Sequence, residues 1–228
     1  VMGETLISGF RRYVTPEPTI LVVEKRPERL DELVARHGVV GATAEQAVPG
    51  ADVVVLVVKP QDMAALLDEI ADDLQTRWLD YGRDNYAGVT FSNAPDDKKI
   101  FLGWMSNWHY AGKVPTDPWR SAMTLPRELS LQGDRIIQTP VKHPNGFPEV
   151  SFTTQEGAIR ICESEERYVE LGVRNQKLYV DTSRAWNNLD APTLQEIAIE
   201  KGEIDIRVIV DRGSIEVFAA GGSIVLTN

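Results

Sequence analysis

A chain of 228 residues with 43% apolar and 25% charged side chains suits one large domain or two modest ones of ordinary globular type, not a disordered or fibrous chain. Its formal net charge of -10 works against neutralising a phosphate backbone, which excludes nucleic acid as the expected partner. The lone cysteine, Cys162, excludes an internal disulfide and a thiolate metal cluster and is expected to be a small buried strand residue.

In chain order, Leu6, Ile7, Phe10 and Val14 recur at helical period, as do Leu30, Leu33, Val34 and His37, and then Met63, Leu66, Leu67, Ile70 and Leu74. Between these helices lie "TILVVEK" and "DVVVLVVKP", β-branched runs of the kind found in parallel strands covered on both faces. Pro27 near the start of the second helix and Gly38 past its end fit the usual start and stop asymmetry. The charged stretches "DELVARHG" and "LLDEIADDL" are expected to be solvated helix faces.

The composition changes near residue 76. Trp78, Trp104, Trp108, Trp119 and Trp186 all lie beyond it, whereas Phe10 and Tyr13 are the aromatics before it. There the period becomes two: Ile204, Ile206, Val208 and Val210 alternate with mostly polar neighbours, and Ile215 and Val217 follow the turn "DRGS". A second turn, "AAGGS", precedes Ile224 and Leu226, which predicts an antiparallel meander with one face in a core. The join "DDLQTRW" lacks the Gly, Ser or Pro content of a flexible linker.

The segments "VMGETLISGF" and "VVEKRPERLDELVARHGVVGATAEQAVPGADVVVLVVKPQDM" resemble the nucleotide-binding domain of pyrroline-5-carboxylate reductase. The resemblance implies a Rossmann-like α/β fold and a dinucleotide, NAD or NADP, whose pyrophosphate sits near Gly3 at a helix N-terminus. It also places Glu24, Lys25 and Arg26 at the ribose and Lys59, Pro60 and Gln61 beside the nicotinamide. A carboxylate there favours a free 2′-hydroxyl and cations a 2′-phosphate, so the mixture leaves NAD and NADP both open. The family's first strand and glycine-rich turn survive only as Met2-Gly3, so the part is read as truncated, with unpaired inner sheet edges and no cofactor expected to bind.

"WLDYGRDNYAGVTFSNAPDDKKIFLGWMSNWHYAGKVPTDPWRSAMTLPRELSL" resembles the last propeller blade of glycoside hydrolase family 32, the levanase, inulinase and invertase group. "YVDTSR" and "IRVIVDRGSIEVFAAGGSIVLTN" resemble strands of that family's C-terminal β-sandwich. The resemblance implies that Asp80, Arg83 and Asp84 border a sugar subsite and that Trp104 forms an apolar wall against a fructose ring. A sugar offers hydroxyls to charged groups and a C–H face to an aromatic plane, so the residue types suit the role. Cleavage needs two placed carboxyl groups. The family's motifs for them, of the Trp-Met-Asn-Asp-Pro-Asn, Arg-Asp-Pro and Glu-Cys types, do not occur; Cys162-Glu163 has the reverse order.

The expected fold class is therefore α+β in several parts: a truncated Rossmann-like α/β fragment over 1–76, a propeller-blade-like β segment over 77–131 and a β-sandwich over 132–228. His37, His109 and His143 are far apart without metal spacing and are expected on loops or the surface. Trp104, Trp108 and Tyr110 fit either a sugar groove or a β-domain core. No apolar run approaches the roughly 20 residues that cross a bilayer, and no leader opens the chain, so no membrane partner and a cytoplasmic location are expected. The Val1-Met2 opening suggests a trimmed start. Three readings stay open: a fructan-hydrolase-like part without catalysis and with weak binding of a fructose-containing saccharide; a cofactor-binding oxidoreductase part; and a recombined, designed or misassembled sequence with no selected function. The first rests on the larger share of matching residues.

Overall fold

The computed structural model describes residues 2–71, 77–114, 116–143, 146–185 and 191–228. Leu74, the junction at 72–76 and Trp186 lie outside the described residues. The chain divides into two compact units, Val1–Arg77 and Trp78–Asn228.

The first unit contains α1 (Met2–Tyr13), β1 (Leu21–Val22), α2 (Pro27–His37), β2 (Val40–Gly41), α3 (Ala44–Ala47) and α4 (Pro60–Ile70). Pro27 opens α2, where a missing N–H costs nothing, and Gly38 ends it at φ 61, its N–H donating to the Val34 carbonyl. β1 and β2 pair in parallel, Leu21 with Val40 and Val22 with Gly41. Ile7, Leu33 and Val39 form one small core with Ile20 and Val22; Ala44, Val48 and Ile70 form another with Val54, Leu56 and Leu66. The unit is thus alternating α and β, but the run "DVVVLVVKP" departs from expectation: residues 52–59 carry no strand. A strand exists by hydrogen bonding to a neighbour, and here packing covers one side alone. Val54 and Leu56 turn to the second core, while Val53, Val55 and Val57 remain 74%, 46% and 43% exposed.

Charge ties α1 to α2. The Glu4 carboxylate accepts hydrogen bonds from Arg29 at 2.8 Å, Arg36 at 2.6 Å and His37 Nε2 at 2.9 Å. His37 is therefore a partly buried helical residue, not the expected loop or surface one. These bonds, that from His37 first, bring the Glu4 carboxyl from its ordinary 4.5 down to about 2. A depressed folded value means that the stabilisation is complete above pH 4.5 and is lost as pH falls towards 2. Hydrogen exchange is expected to show α1 amides losing protection across that window, and a Glu4→Gln variant is expected to lack the transition.

The second unit is antiparallel β throughout its ladders. Its first sheet holds β3 (Tyr86–Thr90), β4 (Lys99–Met105), β5 (Ala122–Met123), β6 (Arg127–Gln132) and β7 (Arg135–Pro140), in the order β3-β4-β6-β7 with β5 also paired to β4. β6 and β7 are one hairpin, Arg127 opposite Pro140 and Gln132 opposite Arg135, so a boundary after residue 131 would cut through it. Then follow β8 (Glu149–Thr154), β9 (Gly157–Ile161), β10 (Val169–Arg174), β11 (Lys177–Asp181), β12 (Leu194–Ala198), β13 (Ile204–Asp211), β14 (Ser214–Ala219) and β15 (Ile224–Thr227). They form two sheets, β12-β11-β10-β9 and β15-β14-β13-β8.

Period-two alternation puts Leu171, Val173, Leu178 and Val180 of one sheet against Ile206, Val208, Val217 and Leu226 of the other in a shared core. Ile209, Phe218 and Val225 point the opposite way and pack with Leu125 and Phe147, so the sandwich is covered outside as well as within. Cys162 departs from expectation: it is exposed, just past β9 at φ 53, where the ladder has ended.

The stretch 80–84 lies along β15. Tyr81 N–H donates to Val225 O at 2.7 Å and Asp84 N–H to Thr227 O at 3.1 Å, satisfying an edge that would otherwise be open. Gly82 is required by this approach: a Cβ there would stand 2.1 Å from the Thr227 backbone N and O. Gly82→Ala is expected to destabilise the second unit by about 1–3 kcal/mol through overpacking, read as a lower denaturant midpoint with unchanged slope.

Candidate functional site

Asp80 does not reach outward. Its carboxylate accepts from the N–H groups of Gly82 and Thr227 at 2.9 Å each, from Asn85 Nδ2 at 3.1 Å, from Thr227 Oγ1 at 2.5 Å and from Arg127 at 2.9 Å. Arg127, opening β6, is fully buried and also donates to Glu216 at 2.5 Å, Gln138 at 3.0 Å and Thr227 Oγ1 at 2.6 Å. Its guanidinium lies 5.3 Å from the Phe218 ring centroid. Burial pushes the Glu216 carboxyl up, and the charge of Arg127 opposes that rise. Asp80 and Glu216 are the two carboxylates this arrangement brings to one centre, and both are enclosed around the arginine.

Arg83 and Asp84 belong to a second cluster. Asp84 is 5% exposed and accepts from the Tyr110 hydroxyl and from Asn107 Nδ2 at 3.2 Å. Burial raises its carboxyl above the ordinary range, and burial followed by the bond to Asp84 raises the Tyr110 phenol. Arg83 lies over the Tyr110 ring at 5.5 Å and beside Asp84, with its Nε 3.4 Å from a carboxylate oxygen. Tyr110 is thus core, as one of its two expected roles had it.

Trp104 and Trp108 diverge from Tyr110. Their rings lie 5.1 Å apart, and Tyr86 meets them edge-on at 5.9 and 6.3 Å. Tyr86 pairs with Trp104 across β3 and β4. Trp108, in the turn after β4, is 75% exposed and Tyr86 is 49% exposed, so the three rings form an accessible aromatic wall. The sequence singles out neither Tyr86 nor Asn107: Tyr86 comes opposite Trp104 through a register shift between Tyr86 and Val89, which alternation does not reveal. A separate cavity of about 280 Å³ is bordered by Met105, Met123, Leu125, Phe147, Ile209 and Glu216, and none of these three rings lines it.

In the first unit, Gly3 lies in the opening turn of α1, and a Cβ there would meet Val57 at 3.6 Å, ordinary contact. The Glu24 carboxylate accepts from the backbone N–H and Nε of Arg26, chiefly the latter, which lowers its carboxyl. Lys25 is exposed, Lys59 precedes α4, and Pro60 and Gln61 open that helix. The Glu24 carboxylate is thus engaged by Arg26, two residues on. Among the described residues no group of three His, Cys, Asp or Glu is placed to hold a metal ion.

The second unit is thus a β sheet clasped to a two-sheet sandwich and presenting an aromatic wall, preceded in the chain by a small α/β unit. Residues 57–140 match the glycosyl hydrolases family 32 N-terminal domain and residues 141–228 the glycosyl hydrolases family 32 C terminal. Residues 1–79 match NADP oxidoreductase coenzyme F420-dependent. The larger part of the chain therefore matches the two glycosyl hydrolases family 32 domains and its opening part an oxidoreductase domain, in agreement with both resemblances. A levanase of Bacillus subtilis is 36% identical over 199 residues, 66% of this chain and 29% of that protein. An invertase of Kluyveromyces lactis is 44% identical over 84 residues, 36% of this chain and 14% of that protein. The solved exo-inulinase of Aspergillus awamori shares the fold at TM-score 0.57 and 24% identity, covering 66% of this chain and 38% of that one. The chain spans 29% and 28% of the first two curated relatives it matches.

Proposed function

We propose that Trp78–Asn228 recognises the fructosyl end of a saccharide without cleaving it. The observation that carries this reading is the exposed wall of Tyr86, Trp104 and Trp108, which suits the C–H face of a sugar ring. Arg83 borders the wall's supporting cluster, while Asp80 and Asp84 serve as buried supports. The names of the relatives supply the ligand class, fructans and sucrose. Tryptophan fluorescence titrated with fructose oligomers is expected to saturate at about millimolar Kd, and Trp108→Ala is expected to abolish the response. A response that survives Trp108→Ala, or none at all, would refute the reading.

The first unit is, in this proposal, a structural α/β piece that binds no dinucleotide, and the whole chain is a fusion of two unrelated parental sequences. The pairing of Glu24 with Arg26 and the bare valines of residues 53–57 support the first point. Saturable NADPH binding would overturn it. Direct resequencing across Leu74 to Trp78 tests the fusion.

A further inference from the structure

We propose that Asn107 is the positioning residue of the aromatic wall. This rests on the saccharide reading for its functional consequence, though not for its geometry. Trp108 sits in a turn and is 75% exposed, with the rings of Trp104 and Tyr86 against one side of its indole. Asn107, directly before it, makes the attachments on both sides of that turn. Its Oδ1 accepts the His109 N–H at 3.0 Å, an Asx-type closure that spans Trp108. Its Nδ2 donates to the Arg83 carbonyl and to Asp84 Oδ1, each at 3.2 Å. Its own carbonyl accepts the Ala111 N–H at 3.0 Å.

One side chain therefore fastens the Trp108 turn to the stretch 83–84, which in turn lies against β15. The end of the same turn is tied to the same stretch a second time, because Asp84 also accepts from the buried Tyr110 hydroxyl; Asn107 holds the end that leads into Trp108. Trp104, held in the β3–β4 ladder, needs no such fastening. Asn107 thus closes the turn that carries Trp108 to 5.1 Å from the Trp104 ring.

The test reads the indole pair and the ligand separately. Two indoles this close give an exciton couplet in circular dichroism, assigned by its loss in Trp108→Phe. Asn107→Ala is expected to remove most of the couplet, to lower the denaturant midpoint of the second unit only in part, leaving it folded, and to weaken fructose-oligomer binding about tenfold. An intact couplet in Asn107→Ala overturns the proposal, as does a lost couplet with undiminished affinity. Should Asn107→Ala fail to fold, Asn107→Asp decides the matter. It keeps the acceptor for His109 N–H but faces the Asp84 carboxylate and the Arg83 carbonyl, with the Arg83 guanidinium and the Tyr110 hydroxyl as the other polar neighbours. Its couplet is expected to be weak at neutral pH and to return on acidification, when the new carboxyl becomes a donor, with the parent recorded over the same range as the reference for Asp84; a couplet with the same pH dependence as the parent's overturns the proposal. If the parent binds no saccharide, the saccharide reading falls, and the couplet alone decides whether Asn107 sets the wall.

Discussion

Arg127→Met is expected to lower the unfolding free energy of the second unit by about 3–5 kcal/mol, because it strands buried carboxylates without their cation. The side chains of Arg127, Asp80 and Glu216 are 0%, 7% and 4% exposed, so water cannot replace the lost partner. The loss is expected to depend on pH. Burial already raises the Glu216 carboxyl, and without Arg127 it rises further. A group whose folded value exceeds its unfolded one favours the fold when protonated, so the deficit of the variant shrinks as pH falls through that raised value. The combination Arg127→Met, Asp80→Asn and Glu216→Gln removes the stranded charges and is expected to recover most of the loss. Denaturant curves followed by tryptophan fluorescence measure all three effects; a single variant within about 1 kcal/mol of the parent would show that the knot does not secure the fold.

The 228-residue polypeptide is expected to hydrolyse sucrose or levan at least about 10⁴-fold more slowly than an intact β-fructosidase. Glycoside cleavage requires two carboxyl groups open to the scissile bond from either side. Asp80 and Glu216 converge, yet the guanidinium stands between them and hydrogen bonds from Arg127 and the Leu125 N–H engage their oxygens. Asp84 has its oxygens directed to Tyr110, Asn107 and Arg83. Reducing-sugar release from purified protein measures the rate. A value within tenfold of an intact enzyme's would overturn the reading, and mutation of Asp80 or Asp84 would then identify the group responsible.

Much of the sandwich was legible because alternation is a local property. Ile204, Ile206 and Val208 reappear as the inward face of β13, and both glycine-bearing turns fall where the pattern breaks. The change of composition near residue 76 likewise reflects two units with different kinds of core. Glu216 shows where local pattern fails. Alternating with Ile215 and Val217, it reads as a solvated residue, but it is 3% exposed because Arg127, remote in sequence, covers it. Asp80 is misleading for the same reason: its principal cation is 47 positions away and its hydroxyl partner, Thr227, 147. The valine-rich run at 52–59 has the composition of a strand, yet composition carries no information on whether a neighbouring ladder exists. Of the aromatic wall, Trp104 and Trp108 were visible as residues. Their separation from Tyr110 depends on the turn that Asn107 closes.

Sequence families part at residue 140, whereas cohesion ignores that point. A recombination event there would leave β15 stripped of the backbone that Tyr81 and Asp84 lend it, and Phe218 and Val225 without Leu125 over them. Heredity can therefore shuffle this half of the molecule safely only as a block beginning before Asp80, a constraint that would keep the blade and the sandwich travelling together through any later rearrangement.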